Sequence, residues 1–264
     1  MYNVPLLRNV NVVRYVTPLR EGGSLPAIAE ADDDFLYVLK FRGAGQGIRS
    51  LIAELVGGEL ARALGLKVPE LVFAWLDNSF GRTEPDEEIQ DLLRASEGLN
   101  LALHYLSGSL TYDPAVMKIE SATASKIVWL DSLLMNVDRT PRNTNLLMWN
   151  KELWLIDHGA ALYFHHNWQS RDEYITRPFV QIRDHVLLPQ ATMLDQAASE
   201  CKSILTEEVV EAILKLVPDE WINGGGFDDT PDNVRRIYTD FLMKRLSHST
   251  IFENEAKTAA LAYI

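Results

Sequence analysis

Alternation governs the first forty positions. Val10, Val12, Val13, Tyr15 and Val16 make one β-rich run, Ala27–Glu30 a second and Phe35–Phe41 a third. The segments between them, Arg20-Glu21-Gly22-Gly23-Ser24-Leu25-Pro26 and Asp32-Asp33-Asp34, carry turn chemistry. In the third run the period of two puts Leu36, Val38 and Lys40 on one face and Phe35, Tyr37, Leu39 and Phe41 on the other. From Ile48 to Leu64 the spacing becomes helical, and Gly65 ends it. Val68–Leu76 then reads as a strand or strand pair. Residues 77–98 read as a polar surface insertion with a brief helical stretch around Ile89–Ala95, and Leu99–Tyr105 alternates again.

The period changes after Ser107-Gly108-Ser109. Helices are expected at about 120–137, 192–204, 207–217 and 231–247, with Thr206 and Thr230 as caps and Pro218 as a stop. Gly224-Gly225-Gly226 reads as a flexible joint before the last of these helices, without chemistry of its own. The expected class is therefore α+β, with a strand-rich part over residues 1–106 and a helical part over residues 107–264.

One small hairpin interrupts the helical part: Leu146–Trp149 with Leu153–Ile156, turning through Asn150-Lys151-Glu152. Asp138 lies in the loop after a helix, Asn143 just before the first hairpin strand and Asp157 just after the second. An antiparallel pair returns the chain to its starting end, so the spacing alone brings Asp157 back beside Asn143. An Asp, an Asn five residues on and a second Asp before a Gly (Asp157-His158-Gly159) form the layout of a phosphoryl-transfer site. Each of these residues alone is an ordinary turn former. The set, downstream of a lysine in an apolar strand, favours chemistry.

Composition narrows the alternatives. With 264 residues, 47% of them hydrophobic, the chain can bury one large core or two lobes sharing a cleft. A net charge of −12 disfavours general nucleic-acid binding. Cys201 is the single cysteine and has no disulfide partner within the chain. His158, His165, His166 and His185 lack the paired spacing of a metal site. With neither a signal-like apolar start nor a membrane-length apolar run, the expected location is the cytoplasm.

Leu36–Phe41 with Lys40, Ala53-Glu54-Leu55 leading to Gly65-Leu66-Lys67-Val68-Pro69-Glu70, Asp138–Asn143 and Asp157-His158-Gly159 follow one another in the order seen in protein-kinase-like folds. Over roughly residues 10–160 the chain resembles most specifically the bacterial HipA-like kinases. That resemblance implies a two-lobed fold, with a β-rich N-lobe and a helical C-lobe, that binds ATP and Mg2+ in between. It implies Asp138 as catalytic base, Asn143 and Asp157 as magnesium ligands, Lys40 on the ATP phosphates and Glu54 as the partner of Lys40. Gly22, Gly23 and Ser24 would form the loop over the phosphates, with Ser24 a candidate for autophosphorylation. It further implies a Ser/Thr hydroxyl on a protein, the chain itself included, as acceptor, and an antitoxin-like or regulatory partner.

Several features depart from ordinary protein kinases. Asn136-Val137-Asp138 stands for His-Arg-Asp, His158 for the Phe of Asp-Phe-Gly, and no Ala-Pro-Glu segment follows. A lipid or small-molecule kinase and a nucleotide-binding pseudokinase are the rival expectations. The partner of Lys40 is also open: the resemblance favours Glu54, while the helical wheel puts Glu59 nearer the middle of the apolar stripe. Gly43-Ala44-Gly45-Gln46-Gly47 reads as a strand-to-helix turn more readily than as a nucleotide fingerprint.

Overall fold

A computed structural model describes residues 5–19, 25–45, 47–80 and 85–263. Five strands close into a barrel: β1 (Asn9–Pro18), β2 (Ala27–Ala31), β3 (Leu36–Lys40), β4 (Leu71–Leu76) and β5 (Gly98–His104), in the order β1-β2-β3-β5-β4. The β1–β4 contact that shuts the barrel is parallel, and the other pairs are antiparallel. Alternation selects the contents. Ala27, Ala29 and Ala31 of β2 and Tyr37 and Leu39 of β3 point inward with Val10, Val72, Ala74 and Ala102. Small alanines facing a few large residues fill a narrow barrel. The opposite face of β3 carries Leu36, Val38 and Lys40 outward, as the period of two predicts.

Helix α1 (Gly47–Ala63) follows β3, and every residue from Leu51 to Ala61 is buried. It is a central helix with no solvent face. A short helix, α2 (Glu87–Ala95), capped by Asp86, packs on the barrel through Ile89 and Leu93. The polar stretch 77–98 thus contributes to the barrel's packing and is more than a surface insertion.

Beyond β5 the chain forms β6 (Leu110–Thr111) and α3 (Ser121–Leu134), then the hairpin β7 (Leu146–Trp149) and β8 (Glu152–Leu155). The hairpin pairs Leu146 with Leu155, and β6 adds a third strand at its β7 edge. Residues 163–190 run largely as 3-10 turns. The helices α4 (Leu194–Ile204), α5 (Glu207–Leu214), α6 (Asp219–Gly224), α7 (Pro231–Ser247) and α8 (Thr250–Ala260) complete the chain. Of these, α4, α7 and α8 pack round α3, in which every residue from Ile127 to Leu134 is buried.

Two of these helices correct the sequence reading. Residues 218–226 contain α6 and are not merely a stop and a joint, and α8 follows what was expected to be the last helix. α6 couples the two parts of the molecule. Glu220 pairs with Arg42 at the end of the barrel, and the Trp221 indole N–H donates to the Leu99 carbonyl at 2.9 Å. Arg49 of α1 donates to the carbonyls of Gly225, Gly226 and His165 and lies 4.6 Å from the Phe227 ring centroid. The glycines allow this approach: a side chain on Gly224 would meet Ile48 Cδ1 at 2.8 Å.

Candidate active site

The ligand-sized space lies between the barrel and the helical part. A cleft of about 1720 Å³ is lined by Val38, Lys40, Glu54, Asp138, Asn143 and Asp157 among others, whereas the barrel interior leaves no room for a ligand. Four elements or loops deliver the five polar residues. β3 supplies Lys40, α1 supplies Glu54, the loop after α3 supplies Asp138 and Asn143, and the exit from β8 supplies Asp157.

Lys40 Nζ lies 2.8 Å from Asp157 Oδ1 and 3.9 Å from Glu54 Oε2. Burial pulls the Lys40 ammonium toward lower pKa, and the surrounding Glu54, Asp157 and Asp138 carboxylates outweigh it, so its pKa is raised and it stays charged. Burial likewise pushes the Glu54 carboxyl up, but Lys40 and His158 hold it below the usual carboxylate range. The choice between Glu54 and Glu59 is decided by partners. Both are buried, but Glu59 pairs with Arg62 at 3.2 Å, leaving Glu54 facing Lys40. The wheel misled because a helix buried all round has no stripe to centre.

His158, fully buried, seats against α1 at Gly57, where a β-carbon would come within 2.8 Å of the His158 Cβ. Its Nδ1 lies 3.8 Å from Glu54 Oε1, too far for a hydrogen bond. Asp157 itself has φ of 56°, a left-handed turn that swings its carboxylate into the cleft.

The loop holding Asp138 is built from below. Asp131 of α3 accepts from Arg139 Nε at 2.6 Å, from Asn136 Nδ2 at 3.0 Å and from His185 Nε2 at 3.0 Å. The Leu187 N–H donates to His185 Nδ1, so the proton of that ring sits on Nε2 and points at Asp131. Burial alone would raise the Asp131 carboxyl, and Arg139 and His185 hold it well below the usual range. Arg139 also donates to the Asn145 carbonyl, tying the loop to β7. Above this base, Asp138 Oδ2 accepts from Asn143 Nδ2 at 2.8 Å and Asn145 Nδ2 at 3.1 Å. A carboxylate only accepts, so the amide oxygen of Asn143 faces the other way.

Lys40, Glu54, Asp138, Asn143 and Asp157 thus meet at one cleft, whereas Gly22, Gly23 and Ser24 lie outside the described residues. Gly43–Gly45 turn the chain away from β3: the Gly43 N–H donates to Ser96, and Gly45 reaches the cleft wall. Asn145 and the Asp131–Arg139–His185 set went unread in the sequence. Asn145 carried a faint signal, as a third Asn at a left-handed position directly before a strand. His185, 54 residues from Asp131, carried none.

A closed barrel, a central helix whose Glu faces a strand Lys, and a loop-and-hairpin carboxylate set describe a protein-kinase-like fold. Solved structures share it. A Helicobacter pylori proinflammatory kinase, CtkA, aligns at a TM-score of 0.57 and 14% identity over 97% of this chain and 98% of that one. The Golgi casein kinase with Mn/ADP bound aligns at a TM-score of 0.51 and 12% identity over 97% of this chain and 74% of that one. The HipA-like kinase family matches residues 12–252, and the chain belongs to that family. Its class of chemistry is accordingly that of a kinase, phosphoryl transfer. No curated protein matches the sequence.

Proposed function

We propose that the protein transfers the γ-phosphoryl group of ATP, with Mg2+, to a Ser or Thr hydroxyl on a protein, itself included. The observation that carries this reading is the convergence of Lys40, Glu54, Asp138, Asn143 and Asp157 on one cleft from separate parts of the chain. The barrel up to about Leu106 acts as the nucleotide lobe and the remainder as the catalytic lobe. The cleft exceeds the roughly 300–1,000 Å³ of an ordinary small-ligand pocket, which leaves room for an acceptor segment beside the nucleotide.

The donor set fits a hard cation. The Asn143 amide oxygen and the Asp157 carboxylate are oxygen ligands, and among the described residues no group of three or more His, Cys, Asp or Glu could hold a metal unaided. Asn143 and Asp157 would hold magnesium, which would supply positive charge to neutralise the phosphates during transfer. Lys40 then contacts the phosphates and Glu54 holds it in place. The Leu106 N–H, on a buried cleft residue and without a backbone partner among the described residues, is available to the edge of the base. Asp138 uses Oδ2 on two asparagine amides and keeps Oδ1 for the acceptor hydroxyl. The acceptor oxygen bonds to the γ-phosphorus and gives its proton to Asp138. The bond to the bridging oxygen breaks, and its electron pair leaves with ADP.

Asp157→Asn should abolish magnesium-dependent ATP turnover while the thermal melt stays cooperative. Equal phosphate transfer by the wild type and this variant refutes the reading. Mass spectrometry of protein incubated with ATP then identifies any self-modified hydroxyl.

A further inference from the structure

Arg142 occupies the apex of the Asp138–Asn143 loop, and its position raises a question the five converging residues leave open. Those residues provide one cation, Lys40, against three carboxylates, and Lys40 is already engaged by Asp157 at 2.8 Å and faced by Glu54. Among the described residues, the other basic side chains on the cleft wall are Arg142 and His104. His104 is held edge-on by Phe35 and Tyr37 on the barrel side. Arg142 is exposed and, among the described residues, has no ion pair, hydrogen bond or ring partner.

Its backbone, by contrast, is fixed. The Thr140 N–H donates to the carbonyls of Asp138 and Asn143, and the Asn143 N–H donates to the Thr140 hydroxyl. Pro141 limits φ just before Arg142, and the neighbouring Arg139 is locked under the loop on Asp131. A free guanidinium is therefore carried on a rigid turn whose two ends are the acceptor-side carboxylate and a proposed metal ligand. In phosphoryl transfer, negative charge spreads over the equatorial oxygens, and a cation preorganised there acts mainly on the transition state.

We infer that Arg142 is a catalytic residue supplied from within the chain, its guanidinium bonding the oxygens of the phosphoryl group during transfer. This rests on the kinase reading of the same cleft. Arg142 stays protonated throughout. The bonds made and broken are those of the transfer step above, and the acceptor proton still goes to Asp138.

ADP release from MgATP with water as acceptor tests the assignment, because no acceptor docking enters that rate. Wild type, Arg142→Ala, Arg142→Lys and Asp157→Asn are compared, together with calorimetric binding of ADP and of ADP–aluminium fluoride. The expected result is a fall in kcat of about 10²- to 10³-fold for Arg142→Ala. ADP affinity should be retained, ADP–aluminium fluoride binding should weaken, and Arg142→Lys should recover part of the rate. Unchanged turnover in Arg142→Ala, or equal weakening of ADP and its fluoride complex, overturns the assignment. If wild-type turnover does not depend on Asp157, the kinase reading itself falls and takes this assignment with it.

Discussion

Gly57→Ala is a one-carbon probe of how the cleft between the barrel and the helical part is braced. The new methyl would stand 2.8 Å from His158 Cβ, 3.1 Å from Cγ and 3.3 Å from Cδ2, against ordinary contact beginning near 3.4 Å. His158 is completely buried, so it cannot yield into solvent. Either α1 or the Asp157-His158-Gly159 segment must move by about half an ångström, and overpacking of this kind costs about 1–3 kcal/mol. Replacing a mid-helix glycine returns about 0.5–1 kcal/mol. The net loss of stability is therefore at most about 2.5 kcal/mol, or a fall of up to about 10 °C in melting temperature for a chain of this size. Activity should suffer more, because Asp157 adjoins the displaced ring and Glu54 lies on the displaced helix. A misplacement approaching 1 Å at such a site costs about 10²-fold in rate. Melting curves and ATP turnover are measured on Gly57→Ala, His158→Ala and the double variant. The double variant should melt above the value expected from adding the two single effects, since removing the imidazole makes room for the methyl. A Gly57→Ala protein that melts higher than wild type and turns over ATP normally would refute the bracing argument.

The buried network under the Asp138–Asn143 loop yields a stability prediction. Asp131→Ala leaves the buried Arg139 without its carboxylate and should cost about 3–5 kcal/mol in urea unfolding; a loss below about 1 kcal/mol would show that Asp131 is dispensable. A pH dependence follows from His165, which burial first, and then His166 and Arg49, hold well below the ordinary value of 6.5. The folded state keeps this ring neutral while the unfolded chain protonates it. The stability is therefore present above about pH 6.5 and lost as pH falls, by up to about 1.4 kcal/mol per unit. His165→Gln should flatten the decline in melting temperature between about pH 6.5 and about pH 5.5, and an unchanged slope would assign the effect elsewhere.

Much of the site was legible because its logic is local. A period of two in Phe35–Phe41 put Lys40 on the outward face, and a four-residue hairpin strand pair carries the chain from Asn143 round to Asp157. Neither inference needed to know what the helices touch. Where contacts are distant in sequence, reading failed for a physical reason. Asp131, in the last turn of α3, and His185, between two 3-10 turns, take their meaning only when α3 is surrounded. The amphipathic argument between Glu54 and Glu59 presumed a solvent face that α1 lacks. Gly224-Gly225-Gly226 signalled freedom by composition, yet two of its carbonyls are fixed by Arg49.

That last arrangement has a mechanical consequence. One short helix and the glycines after it grip the barrel through Leu99 and Arg42 and the central helix through Arg49. This corner of the molecule is pinned, so any opening of the cleft would turn about it. Trp221, which does not line the cleft, would set the stiffness of that pivot.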